Sequence, residues 1–268
     1  MNEMKKAGLL VGLLVSANVA FAGNVDPGSL KTSGPIDFAS NLLTSSTPIT
    51  DVEDFKYTVQ VGTEKSIDNV YYKVSQAFNT DGTYDSGMLP HSDDTVSFRF
   101  STSVKGAVAT NQRSCHAGTD GSPDGVTCEI TLPASYMNSR AYTVEVKKTA
   151  DNGKLRTYSA TVTDQLGGFW SDIGSWSVPV SVGALSPWVN ASSVRYSDAK
   201  FKVTSCADIP SIFVDYSNVL FNNSVYSTLA SNQPDPEASG PYMCSSARVP
   251  LSISKYRPTQ TGFVVTND

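Results

Sequence analysis

The chain has 268 residues, only 17% of them charged, and a formal net charge of −5. An acidic balance without clustered Lys and Arg excludes a nucleic-acid footprint, which needs cations to neutralise phosphates. No basic amphipathic helix is written into the chain either, so a membrane-surface helix drops out of the reading.

Lys5 and Lys6 precede an apolar run from Ala7 through Val19, and Ala20-Phe21-Ala22 supplies the small-residue pattern of a signal peptidase site. The run is shorter than the roughly 20 apolar residues a membrane span needs. Residues 1–22 are therefore read as a signal peptide of bacterial type, cleaved before Gly23. The mature protein is expected to be secreted or periplasmic, with no transmembrane segment left after cleavage. Four cysteines in an exported chain fit two disulfides. Of three pairings, the nearest-neighbour one is expected: Cys115 with Cys128 and Cys206 with Cys244. Each bridge should stabilise the fold by about 3 kcal/mol, mostly by restricting the unfolded chain. Zinc fails on spacing, because there is no C-x-x-C and the histidines are His91 and His116 alone.

Residues 23–50 are rich in Ser, Thr, Gly and Pro and read as an irregular N-terminal segment with a short helical turn at Ala39 to Leu43. Strand patterns follow. Phe55, Tyr57, Val59 and Val61 alternate with Lys56, Thr58 and Gln60, which gives one dry face and one wet face. Val70, Tyr72 and Val74 repeat the period, and a turn-rich connection from Asn79 to Gly87 leads to Val96, Phe98 and Phe100. The period returns in Cys128, Ile130 and Leu132, in Tyr142, Val144 and Val146, and in Tyr158, Ala160 and Val162. Asp151-Asn152-Gly153 joins the last two runs as a hairpin, since glycine accepts the positive φ of such a turn. Trp176, Val178, Val180 and Val182 form another run, in which Pro179 demands an edge or a bulge because it has no N–H for the ladder. Phe201 and Val203, Ile212 and Val214, Val249 to Ile253, and Phe263 to Val265 are weaker strands, and Ser231 to Glu237 reads as a loop.

No apolar stripe at helical spacing is long enough for a four-turn helix. Short strands at roughly 10-residue spacing with turn signals between them predict an all-β fold, an antiparallel β-sandwich stapled by two intrachain disulfides. Residues 51–268 are read as one sandwich domain of about ten strands, because two small cores bury proportionally less surface than one large one.

Several spacings resemble a group of secreted bacterial proteins of unknown function with a jelly-roll or lectin-like sandwich. The pieces that carry this are Cys115 with Ala117-Gly118-Thr119-Asp120-Gly121 and Gly125-Val126-Thr127-Cys128; Tyr158, Ala160, Val162 and Asp164; Ile173-Gly174-Ser175-Trp176; and Cys206-Ala207-Asp208-Ile209-Pro210. They cover residues 115 to about 215. Where the resembled proteins carry an acid beside an aromatic after the tryptophan segment, this chain has Ser193-Val194-Arg195-Tyr196. The resemblance implies a fold and an exported location, and no reaction.

Chemistry is sparse. A serine triad needs a histidine base, and neither His91 nor His116 lies in a nucleophile motif; G-x-S-x-G and phosphate-binding loops are absent. Glycoside hydrolysis needs only two acids about 5–10 Å apart. The acids fall mostly in loops, with Glu145 mid-strand on a wet face where a solvated glutamate is the plainer reading. Asp81 with Asp85, and Asp120 with Asp124, offer alternate oxygens that suit calcium, although Asp-Gly is also an ordinary turn former. No cofactor is expected, with calcium kept as the alternative. Aromatics are the better lead. Trp176 has the phase of a core strand, whereas Trp170, shortly after two glycines, Trp188, after Ser186-Pro187, and Tyr196 are candidates to meet a ligand. The expectation is a non-catalytic sandwich that binds carbohydrate or another cell-surface ligand. A polysaccharide-degrading hydrolase or lyase with a carboxylate pair is the alternative, and an adhesin or pilus-associated subunit the third reading.

Overall fold

The structure, a computed structural model, describes residues 36–62, 70–91, 93–119, 122–133, 140–166, 169–195, 212–223, 225–233 and 260–265. The signal sequence, Tyr196, Asp120, Cys206, Cys244, the Phe201–Val203 pair and the 249–253 run lie outside the described residues.

Alternation of dry and wet residues builds the strands: β1 (Ile36–Ser45), β2 (Asp54–Gly62), β3 (Val70–Phe78), β4 (Thr83–Pro90) and β5 (Thr95–Thr102). They continue as β6 (Val108–Ala109), β7 (Cys115–Thr119), β8 (Ser122–Pro133), β9 (Ala141–Asp151) and β10 (Leu155–Asp164). The last are β11 (Trp170–Pro179), β12 (Leu185–Arg195), β13 (Ile212–Phe221), β14 (Val225–Gln233) and β15 (Gln260–Val265). Every pairing is antiparallel.

Two layers result. One runs β1-β12-β3-β4-β5-β8-β7, and the other runs β6-β11-β10-β9-β2-β13 with β15 also on β13. Strand β14 turns the corner between them. It lies along β1 from Ser40 to Ser45, and it meets β13 through Leu220↔Tyr226 and Phe221↔Val225. The all-β sandwich is thus as expected.

The dry faces meet in one core. Phe55, Tyr57, Val59 and Val61 of β2, Tyr142, Val144 and Val146 of β9, and Phe98 and Phe100 of β5 are all buried in it. Trp176 reaches across from β11 to stack on Phe100 at 4.6 Å, with Tyr158 and Phe78 at its edges. Rings of this size contribute roughly 2–3 kcal/mol each through burial.

Cys115 and Cys128 stand opposite each other on β7 and β8 and are bridged. Gly174 of β11 packs on the bridge: a Cβ there would fall 2.7 Å from Cys115 Sγ, and its φ of +146° disfavours other residues. The β9–β10 hairpin turns at Asn152 and Gly153, the latter at φ +77°. Asn152 Oδ1 accepts from Leu155 N–H at 2.8 Å, so the side chain completes the turn.

Four expectations are corrected. Residues 36–45 are strand β1 rather than an irregular segment with a helical turn, because β12 and β14 pair with both of its edges. The connection read from Asn79 to Gly87 ends early, and β4 begins at Thr83. Gly87 lets β4 approach β3 closely, since a Cβ there would lie 2.1 Å from Tyr72 O. The run read from Trp176 to Val182 stops as a strand at Pro179, which ends β11 opposite Leu155, and Val180–Val182 form a 3-10 turn. Ser231 to Gln233 belong to β14 rather than to a loop.

Candidate functional site

Because Tyr72 and Val74 of β3 face the core, Tyr71, Lys73 and Ser75 fall on the opposite face. The same alternation puts Asp85 of β4, Arg99 and Ser101 of β5, and Thr127 and Glu129 of β8 on that outer face. Register aligns them in rows. Asn190 of β12 lies opposite Ser75, Ser75 opposite Asp85, Asp85 opposite Ser101, and Ser101 opposite Thr127. The next row is Lys73, Gly87, Arg99 and Glu129. With strands about 4.8 Å apart, the first row spans roughly 19 Å.

The charges in these rows are matched. Asp85 Oδ1 accepts from Ser75 Oγ at 2.5 Å, and Oδ2 accepts from Lys73 Nζ at 3.3 Å. Arg99 Nε donates to Glu129, and the guanidinium carbon sits 6.0 Å from the centre of the Tyr71 ring. The β7–β8 hairpin forms a wall: Thr127 Oγ1 donates to Gly118 O at 2.9 Å and brings Thr119 to the edge of the rows. Between them is a cleft of about 140 Å³ lined by Tyr71, Asp85, Arg99, Ser101, Thr119 and Thr127. Its chemistry is hydrogen bonding by hydroxyls and by paired ions.

Trp188 joins this face. It pairs with Thr44 of β1, alternates with the buried Val189, and is exposed two residues from Asn190. Trp170 does not. It pairs with Thr163 of β10, whose neighbour Val162 faces the core, so its exposed ring lies on the outer face of the other sheet. The two rings therefore sit on opposite sides of the sandwich.

The other expected groups are placed as follows. Asp81 is exposed in the turn before β4, while Asp85 lies within β4 with both carboxylate oxygens engaged. Asp124 is exposed near the start of β8. Among the described residues, no three His, Cys, Asp or Glu side chains group closely enough to hold a metal ion. His91 Nε2 is 2.9 Å from Ser97 Oγ, and His116 Nδ1 is 3.0 Å from Ala117 O.

Glu145 has an acidic neighbour that sequence reasoning missed. Asp54 of β2 lies opposite Lys147 of β9, diagonal to Glu145, on the outer face of the second sheet. Burial, and then the charge of Glu145, push the Asp54 carboxyl up to about 6, against the opposing pull of Lys147 and Lys56. Asn223 Nδ2 donates to Asp54 Oδ2, whereas Oδ1 is buried without a hydrogen-bond partner. Asp54 lines an open groove of about 390 Å³ together with Asp51, Glu53, Lys147, Lys148 and Asn222.

Lys73, Ser75, Arg99 and Glu129 were also missed. Their one local signal is that each takes the wet phase of a strand whose dry phase was legible.

Neither a protein-family model nor a curated protein sequence matches the chain. Among solved structures, the chain is similar to the alginate lyase vAL-1 from Chlorella virus at 8% identity, over 60% of this chain and 82% of that one. The TM-score is 0.28, too loose an overlay for residue positions to correspond.

Proposed function

We propose that this chain is an exported, non-catalytic sandwich of the lectin-like type that binds carbohydrate on the outer face of β12, β3, β4, β5 and β8. The observation that supports the reading is the unbroken polar row Asn190, Ser75, Asp85, Ser101 and Thr127, with the exposed ring of Trp188 on the same face. Sugars ask for both halves of such a surface. Their hydroxyls need fixed donors and acceptors, and their C–H faces need an aromatic plane. The disulfide suits an oxidising compartment outside the cytoplasm. Among the described residues, no helix is long and apolar enough to cross a membrane.

The test is a glycan array probed with the mature protein. Wild type should bind, Trp188→Ala should weaken binding by roughly tenfold, and Trp170→Ala should leave it unchanged. No hit on any glycan would overturn the proposal.

A second reading, a polysaccharide-degrading enzyme, is favoured by Asp54. A carboxyl near 6 lies in the range of a general acid at neutral pH. Release of new reducing ends or unsaturated termini from a polymer, abolished by Asp54→Asn, would replace the binding reading with this one.

A further inference from the structure

Resting on the binding reading, we infer that the cleft on the first sheet takes a neutral, hydroxyl-rich glycan and rejects uronate and sulfated ones. The inference comes from the way its ions are already matched. Lys73 is held by Asp85, and Arg99 by Glu129, each pair spanning neighbouring strands at half-buried positions. Ser75 holds Asp85 from a third direction.

A carboxylate or sulfate seeking a cation here must take it from a resident acid. Asp85 or Glu129 would then stand half-buried beside an incoming like charge, which is the costly outcome for a partly desolvated ion. A neutral hydroxyl meets no such conflict. It can donate to a carboxylate and accept from Lys73 without breaking the pair, because a carboxylate offers about four acceptor sites and an ammonium three donors. Ser101 and Thr127 add groups that both donate and accept.

The border of the face leans the same way. Among the described residues in the turns and strand ends around these strands, Asp81, Asp93, Asp94 and Asp124 outnumber Lys105 and Arg113, and all six are exposed. Their field repels anions before contact, within the roughly 8–10 Å over which charge acts at ordinary salt.

The experiment uses the mature protein and three sets of immobilised oligosaccharides: neutral hexose oligomers, uronate oligomers and sulfated oligomers, each at low and high salt. Wild type should retain the neutral set, with affinity changing less than about twofold with salt. Glu129→Gln keeps the shape of the side chain and removes the carboxylate charge that Arg99 now meets on β8. This variant should gain uronate binding by roughly tenfold. Lys73→Gln should lower binding to the neutral set without admitting uronates.

Preference of wild type for uronate or sulfated oligomers, with affinity falling steeply in salt, would overturn the inference and leave the carbohydrate-binding proposal standing. So would neutral binding in which Glu129→Gln, folded by near-ultraviolet circular dichroism, still rejects uronates. Retention of none of the three sets would overturn both.

Discussion

Trp176 of one sheet lies over Phe100 of the other with ring centroids 4.6 Å apart and 22° between their planes. Among the described residues this is the tightest of the aromatic contacts that cross between the layers, and both rings are wholly buried. Phe100→Ala is expected to cost about 3–5 kcal/mol by leaving a cavity the surrounding rings cannot fill. Urea denaturation followed by tryptophan fluorescence measures it. A loss under about 1 kcal/mol would mean that the sheets are not packed through this pair.

Gly174 answers to the bridge it covers. Gly174→Ala places a methyl group 2.7 Å from both Cys115 Sγ and Cys128 Cβ. It should destabilise by roughly 2 kcal/mol or more, since overpacking and an unfavourable backbone angle add together. Removing the bridge with Cys115→Ser and Cys128→Ser should cost about 3 kcal/mol. If the glycine is needed because of the bridge, adding alanine at 174 to that double variant costs less than adding it to wild type, a coupling that a thermodynamic cycle reads directly.

Asp54 makes stability fall as pH rises. Its carboxyl sits at about 6 when folded, above the ordinary aspartate value of 3.8. The folded chain therefore holds more proton than the unfolded one between these values, so the contribution is full below about 4 and is lost through 6. It is worth at most about 3 kcal/mol. Hydrogen bonds hold the Asp93 and Asp151 carboxyls below their ordinary value, and these two act in the opposite direction. The measurement is accordingly a difference: ΔG against pH for wild type minus Asp54→Asn, which should slope downward from pH 4 to 6. A flat difference refutes the assignment.

Arg140 guards a buried acid. Asp164 is fully buried, with Arg140 donating to one oxygen and Leu166 N–H to the other at 3.0 Å. Arg140→Ala leaves that carboxylate without its cation and should cost about 3 kcal/mol at neutral pH. Arg140→Ala with Asp164→Asn should recover part of the loss, as thermal unfolding can show.

The remaining cysteines allow a direct check. Cys206 and Cys244 are expected to be bridged in the exported protein. A peptide joining the two after non-reducing digestion is the anticipated mass, and free thiols in the folded protein would refute the pairing.

Strands whose two faces differ were legible in the sequence: β2, β5, β9 and β10 alternate strictly because one side meets the core and the other meets water. Strands β1, β4 and β14 were not. In Thr83–Pro90, for instance, Ser86 and Gly87 are buried, so the pattern that marks a half-wet strand is missing. The ladder partners of β1, which are β12 and β14, lie far along the chain, and local composition carries no trace of them. The candidate face shows the same division. Trp188 stood out as a ring in a polar context, whereas Lys73, Arg99 and Glu129 looked like ordinary solvated charges. Only the register, which sets residue 73 against 87 and 99 against 129, makes them neighbours. Trp188 and Trp170 lie on opposite faces for a related reason: the eighteen positions of chain between them include a strand on one sheet and the crossing to the other.

The corner made by β14 bears on how copies of this protein avoid one another. Among the described residues, one flank of the sandwich is bridged where the ladder bends through β14 from layer to layer, while at the far flank β6 and β7 end the two layers and offer edges to a stranger's backbone. There, β6 is two residues long, and β7 is welded to its neighbour through Cys115. Reducing conditions would loosen that guard first, and clumping of otherwise folded molecules is the form its loss would take.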